Sequence, residues 1–141
     1  AKKAAADVPP SALDGVARAL PALLRAEKLQ KRAARTGFDW TETPPIFDKL
    51  EEEIAEVKEA MASGDAEAIE DEVGDLLFVV ANLARRLSVD PEQALRKANA
   101  KFERRFRAME AAAAQEKIDF ASLSLDKQEA YWQRVKKAER A

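Results

Sequence analysis

The sequence has 141 residues, 47% of them hydrophobic but only 6% aromatic, which indicates a single all-α domain with an aliphatic core. The absence of Cys and His excludes disulfides, thiolate nucleophiles, ordinary zinc sites and a catalytic histidine. A net charge of −2 argues against general nucleic-acid affinity. The chain has no apolar run of about 18 residues to span a bilayer, and Ala1–Ala6 lacks the apolar segment of a secretory signal. We therefore expect a cytoplasmic protein.

The first predicted boundary separates a tail or linker, residues 1–11, from a single helical domain, residues 12–141. Leu13–Leu20 is predicted to form a separate short turn. The first helix is predicted to begin near Pro21, because proline suits the first turn of a helix, and to run toward Gly37, a residue typical of helix ends.

An aromatic loop leads to the second predicted helix, which Thr43 caps and which has Pro44 in its first turn. Its apolar residues form one stripe at helical spacing: Ile46, Leu50, Ile54, Val57 and Met61. Gly64 and Asp65 are predicted to end this helix and to cap the next one.

The third predicted helix carries a broader apolar surface. Its stripe contains Ile69, Val73, Leu76, Val80, Leu83 and Leu87, and it is widened by Leu77, Phe78 and Val79. This breadth predicts burial on more than one side, which is common where a helix also packs against a partner subunit. Gly74, in the middle of the helix, costs about 1 kcal/mol relative to Ala and indicates a close approach of another backbone.

Two further helices are predicted. Asp90 and Pro91 open the fourth, which is expected to fade in the alanines after Glu110. Its inner stripe is Leu95, Ala98, Phe102, Phe106 and Met109. The last helix is predicted from Ser124 to about Lys137, with Tyr131, Trp132 and Val135 as its anchors.

Acidic residues are concentrated in the second and third helices. Residues 49–75 contain eleven acids and two lysines, in the pattern E-E-x-x-E, fifteen residues, E-x-x-D. Glu53 with Glu56, and Glu72 with Asp75, each lie three residues apart and share a helix face. If the two stripes pack together, the four carboxylates converge and need a cation; oxygen ligands favour Mg²⁺, with Mn²⁺ as a substitute.

An ordinary interpretation competes with this metal site, because acidic runs are usually solvated helix faces. Lys49 can pair with Glu53 at i,i+4 spacing. We assign the remaining acids to such a face: Glu51, Glu59, Glu67, Glu70 and Asp71.

Basic residues follow in the fourth helix, where residues 96–107 contain six bases and one acid. The four glycines form no phosphate-binding loop, so side chains must bind any phosphate. Lys101 and Arg105 lie one turn apart, and Trp132 and Lys136 share a face of the last helix. Surface bases and a core tryptophan remain the ordinary alternatives.

Several segments resemble the MazG-type nucleoside triphosphate pyrophosphohydrolases, in particular the C-terminal catalytic half of tandem-domain bacterial members. They are LQKRAARTGFDW, KLEEEIAEVKEA, IEDEVGDLLFVVANLARRLSVD, ALRKANAKFERRF and SLDKQEAYWQRVKK. The resemblance covers most of residues 20–137. It implies an all-α fold of the four-helix-bundle type, assembled as a homodimer, that hydrolyses a nucleoside triphosphate to the monophosphate and pyrophosphate.

The resemblance also implies roles for individual residues. The Mg²⁺ ligands would be Glu53, Glu56, Glu72 and Asp75, with Glu52 as a candidate just outside this ligand set. The resemblance leaves open which carboxylate accepts the proton of the attacking water; we predict Glu53 as this general base and Glu52 as a further catalytic candidate. Lys101 and Arg105 would bind the triphosphate, and Trp132 and Lys136 would close over the nucleotide. For Phe38 and Trp40, contact with the base and simple packing both stay open. Two other functions stay open as well: a non-catalytic helical dimerisation module, and a pyrophosphatase restricted to dUTP or a modified dNTP.

Overall fold

A computed structural model describes residues 9–39 and 44–141. These residues form five α-helices and one 3₁₀ turn, with no strand among them, so the all-α prediction is confirmed. The helices are α1 (Ala22–Ala34), α2 (Pro44–Ser63), α3 (Ala66–Arg86), α4 (Pro91–Gln115) and α5 (Leu125–Arg140), and the 3₁₀ turn is Phe120–Ser122. None of these described helices combines the length and apolar character needed to cross a membrane.

The chain divides into two compact units, one ending at Glu92 and the other comprising Gln93–Ala141. The predicted extent of the domain, residues 12–141 after a tail of residues 1–11, stays a prediction, and residues 1–8 lie outside the described part of the chain.

Local signals set the helix boundaries of the first unit. Pro21 occupies the N-cap position of α1, and Gly37, with φ +95°, follows the helix end. Gly64, with φ +72°, separates α2 from α3, and the Asp65 side chain accepts a hydrogen bond from the Glu67 N–H at 3.0 Å. These predictions are confirmed, whereas the predicted cap Thr43 lies outside the described residues.

Both α1 and α2 pack against α3, but not through the whole predicted stripes. The buried residues of α2 are Ile46, Glu53 and Ala60, seven residues apart, so Glu53 occupies a core position rather than the edge of a stripe. Ile54 and Met61, predicted to be inside, are 43% and 63% exposed. The stripe prediction is wrong at these positions because α2 is covered on the side that carries Glu53.

The α3 helix shows the same difference between apolar pattern and burial. Val79 and Asn82 are buried, while Val73 and Val80 of the predicted stripe are 39% and 44% exposed. The prediction that Gly74 marks a close backbone approach is wrong within the described part of the chain. No described atom outside its own helix backbone and its chain neighbours lies within 4 Å of where its Cβ would be.

The second unit has its own small core between α4 and α5. Its buried residues are Met109, Ala113 and Tyr131, against which Trp132 and Val135 pack. The anchors predicted for the last helix are therefore confirmed. The prediction that α4 fades after Glu110 is wrong, because the helix continues to Gln115 and Ala113 is fully buried in this core.

Candidate functional site

Three acidic side chains of α2 and α3 converge in the first unit. Glu53, Glu56 and Glu72 each offer a carboxylate oxygen, and the three oxygens lie within 4.8 Å of one another. Because α2 packs against α3 and each helix brings its acids to the same side, residues far apart in the sequence meet at this seam. Such an oxygen-only set suits a hard divalent cation.

Glu53 is the most buried member of this group, with 5% of its surface exposed. Lys49 Nζ lies 3.2 Å from Glu53 Oε1 and 3.2 Å from an oxygen of Glu52, whose side chain is 65% exposed. These two carboxylates raise the pKa of Lys49, with the hydrogen bond to Glu53 as the largest cause. The charge of Lys49 therefore offsets one oxygen of the buried Glu53, and the same lysine also pairs with the exposed Glu52.

Two carboxylate oxygens of the cluster remain unsatisfied. Glu53 Oε2 and Glu72 Oε2 are buried and have no hydrogen-bond partner among the described residues. Buried polar atoms are normally hydrogen-bonded, and leaving one unpaired costs free energy. The donor set and these two orphaned oxygens fit a divalent metal ion.

The pKa of Glu72 responds directly to the crowding of acids. A hydrogen bond to Glu56, followed by burial and the charges of Glu56, Asp75 and Asp71, raises the pKa of Glu72 from 4.5 to about 7. In the metal-free protein, a proton on Glu72 thus relieves repulsion that a cation would otherwise relieve.

Asp75 joins the cluster from a second side. It forms another group with Glu72 and Asp71, whose oxygens also lie within 4.8 Å of one another. Asp71, interpreted from the sequence as solvated, is exposed as expected but belongs to this group. The structure therefore brings together three of the four predicted ligands directly and links the fourth, Asp75, through Glu72.

A cavity of ≈ 590 Å³ adjoins the carboxylates within the first unit. Glu53, Asp75 and Lys49 line it together with apolar side chains of α1 and α3. Phe38 also lines the cavity and is 82% exposed. Trp40, the other aromatic residue proposed for this loop, lies outside the described residues.

Predicted phosphate-binding residues lie in the second unit. The Arg105 guanidinium carbon lies 5.3 Å from the centre of the Trp132 ring, and its Nε donates to Glu139 at 3.0 Å. Two of the four predicted residues are thus in contact. Lys101 is exposed and lies one helical turn before Arg105, and Lys136 is half-buried and lies one turn after Trp132.

The sequence matches known proteins in the same region. Residues 45–109 match the family model of the MazG nucleotide pyrophosphohydrolase domain. Residues 45–109, a little under half of the chain, are therefore similar to MazG domains. The chain is 50% identical over 131 residues to the nucleoside triphosphate pyrophosphohydrolase of Escherichia coli strain K12. The aligned region covers 92% of this chain and 50% of that protein.

A second relative of the MazG domain comes from Thermotoga maritima. The nucleoside triphosphate pyrophosphohydrolase/pyrophosphatase MazG of that organism is 43% identical over 117 residues, or 83% of this chain and 45% of the relative. The chain spans about half the length of these curated relatives. The family resemblance is confirmed, while the likeness to a C-terminal half stays a prediction.

The sequence pattern missed two buried polar residues of the cavity beside the carboxylates. Gln30 of α1 and Asn82 of α3 are buried, and both line the cavity. Asn82 stands among apolar neighbours, which is a weak signal, whereas Gln30 follows Leu29 within a charged stretch and gives none. The partners that bury them come from other helices, so no local pattern could have identified their role.

Proposed function

We propose that this chain hydrolyses ribo- and deoxyribonucleoside triphosphates to the monophosphate and pyrophosphate with Mg²⁺, for which Mn²⁺ can substitute. The observation that carries the proposal is the convergence of Glu53, Glu56 and Glu72, with two buried oxygens that lack a partner among the described residues. The MazG domain match and the names of the relatives support the reaction type.

The metal ligands in this proposal are Glu53, Glu56, Glu72 and Asp75. Bound there, Mg²⁺ would supply neutralisation of phosphate charge and a lowered pKa for water. Glu72 holds a proton for part of the time at neutral pH, because its pKa is about 7. A divalent ion at this cluster would replace that proton and offset the negative charge of the carboxylates.

Glu53 is our proposed general base. Lys49 donates to Oε1 and so holds the carboxylate in place, where it can accept a proton from the attacking water. Glu52 also pairs with Lys49 but is exposed, so we propose that it helps to position Lys49 and does not act as the base. The choice of the α-phosphorus as the point of attack comes from the family resemblance.

The resemblance also implies roles for residues of the second unit. Lys101 and Arg105 would stabilise negative charge that develops on the departing pyrophosphate. Trp132, Lys136 and Trp40 would contact the nucleotide, as the resemblance implies. Arg105 lies over Trp132 and pairs with Glu139, so its guanidinium is already ordered, and a phosphate would take the place of the Glu139 carboxylate.

A substrate panel tests the proposal. With Mg²⁺, ribo- and deoxyribonucleoside triphosphates should each yield pyrophosphate in the absence of added pyrophosphatase, and Glu53→Gln or Asp75→Asn should abolish the product. Glu59→Gln, an exposed acid on the same helix, is the matched control and should retain activity. Release of orthophosphate alone would contradict the proposal.

The same panel separates the alternatives. Hydrolysis of dUTP or of one modified dNTP alone would favour a restricted pyrophosphatase. No hydrolysis, together with a thermal stability that Mg²⁺ does not change, would favour a non-catalytic dimerisation module. We place the enzyme in the cytoplasm, where its nucleotide substrates occur.

We also propose a homodimer, formed through an apolar surface of the first unit. On α3, Val73, Leu77 and Val80 lie on one face and are 39%, 52% and 44% exposed, and Ile54 and Met61 are exposed on α2. Exposed apolar surface of this kind is typical of subunit interfaces. Light scattering should give a dimer that Leu77→Glu converts to monomer, whereas a monomeric parent protein would refute the assembly.

A further inference from the structure

The cavity beside the acidic cluster combines apolar walls with a few polar groups. Its volume of ≈ 590 Å³ is within the range of small-molecule sites, and Leu29, Phe78 and Val79 contribute to its walls. Glu53 and Asp75 belong both to this cavity and to the carboxylate groups. A ligand whose phosphates lie at the carboxylates would therefore have its remaining part in this cavity.

Gln30 is an uncharged polar residue of the cavity lining, and one of its polar atoms is unused. It is 8% exposed, and its Nε2 donates to the backbone oxygen of Phe78 at 2.9 Å. Since a carbonyl oxygen only accepts, this bond fixes which end of the amide is nitrogen. Gln30 Oε1 is then the acceptor, and it is buried without a partner among the described residues.

Asn82, a second buried amide of the wall, is oriented by its neighbours. Arg85 Nε donates to Asn82 Oδ1 at 3.0 Å, and the same guanidinium pairs with Asp39. Arg85 thus occupies one lone pair of the Asn82 oxygen, and the amino group is the hydrogen-bond donor of this side chain. The two amides have opposite capacities: Gln30 offers an acceptor, and Asn82 offers a donor.

We propose that this cavity binds the base and sugar of the nucleotide, and that Gln30 Oε1 accepts a hydrogen bond from an N–H group of the base. The inference rests on the proposed function, because it assigns the non-phosphate part of the same substrate. An aromatic and aliphatic wall suits a flat base, and the buried acceptor demands a donor.

The proposal defines a substrate class. Each ordinary nucleobase presents an N–H on its pairing edge, as an amino or an imino group, so Gln30 selects for that donor rather than for one base. A base without any such N–H leaves Oε1 buried and unpaired. The penalty for one unsatisfied buried acceptor corresponds to a loss of about ten- to a hundredfold in kcat/KM.

Paired substrates test this directly. ATP is compared with purine riboside triphosphate, which lacks every base N–H without added bulk, and UTP is compared with 3-methyl-UTP. The pair whose parent, ATP or UTP, is hydrolysed faster is used for the comparison. In that pair the analogue should have a kcat/KM about ten- to a hundredfold below that of its parent, mainly through a higher KM. An equal rate for parent and analogue overturns the base assignment and leaves the pyrophosphohydrolase intact.

A variant links the discrimination to one residue. Gln30→Met keeps the side-chain length and removes the acceptor, so the ratio of parent to analogue should fall toward one. The matched control is Gln128→Met, because Gln128 Nε2 donates in the same way to the backbone oxygen of Phe120 at 3.1 Å, outside the cavity. Gln128→Met should keep the full ratio.

Each outcome has a separate meaning. The ratio compares two substrates on one protein, so a general loss of stability in Gln30→Met does not move it. A ratio that stays high in Gln30→Met refutes the role of Oε1. A parent protein that hydrolyses none of the four nucleotides refutes the proposed function itself, and the base pocket falls with it.

Discussion

Lys49 and Glu53 form an ion pair of unequal exposure, with 36% of the lysine side chain but only 6% of the glutamate side chain accessible. The ammonium group therefore compensates a carboxylate that has little access to water. Lys49→Met is expected to destabilise the metal-free protein by about 1 to 2 kcal/mol, a value reduced for the exposure of the lysine. Urea denaturation with a chelator measures this, and Lys58→Met on the exposed side of α2 is the control. Equal stability of both variants would contradict the structural role of the pair.

The carboxyl group of Glu72 gives a pH-dependent prediction for the metal-free protein. Its folded pKa of about 7 exceeds the ordinary 4.5, so folding takes up a proton and the protein loses stability as pH rises from 4.5 through 7. Glu72→Gln removes this loss and should stabilise the protein more at pH 8 than at pH 5. Thermal unfolding with a chelator at both pH values gives the comparison. A gain that is larger at pH 5 would have the wrong sign for this group.

Metal addition gives a prediction for the stability of the same cluster. Mg²⁺ at a hundredfold excess over its Kd should raise the free energy of unfolding by about 2.7 kcal/mol if it binds only the folded chain. Glu56→Gln removes one of the three converging oxygens and should require more Mg²⁺ for the same stabilisation. Glu59→Gln, also exposed on α2, should respond as the parent does. A Mg²⁺ effect matched by an equal ionic strength of NaCl would contradict specific binding.

Arg105 has a resident partner that a triphosphate would have to displace. Its Nε donates to Glu139 at 3.0 Å, and Arg104 pairs with the other oxygen of the same carboxylate at 3.2 Å. Glu139→Ala is expected to lower KM about two- to fivefold, the equivalent of one partly exposed ion pair. The matched control is Glu103→Ala, which breaks the exposed Glu103–Arg107 pair instead. An increase in KM would show that Glu139 positions Arg105 rather than competing for it.

The helices and their ends are largely predictable from the sequence because the signals are local. Gly64 and Asp65 lie where α2 and α3 meet, and Pro91 begins α4. The spacing of Glu53 with Glu56, and of Glu72 with Asp75, is likewise a local property of a helix. Neither needs knowledge of a distant residue.

Burial is less predictable, because a neighbouring helix can cover either edge of a broad apolar stripe. Ile54 and Met61 satisfied the helical period as well as any core residue, yet α2 turns Glu53 toward the interior. The fading predicted for α4 failed for a related reason: Ala113 is buried by residues of α5, and small side chains become core residues only when a neighbour comes close.

The sequence by itself determined that the chain is helical, where α1, α3 and α4 begin and which acids are paired along each helix. Only the tertiary structure decided that Glu53 is a buried carboxylate, that it meets Glu56 and Glu72, and that Gln30 keeps an unused acceptor beside them. Capping and periodicity act between residues a few positions apart, whereas the desolvation of Glu53 and Gln30 depends on which helices pack around them.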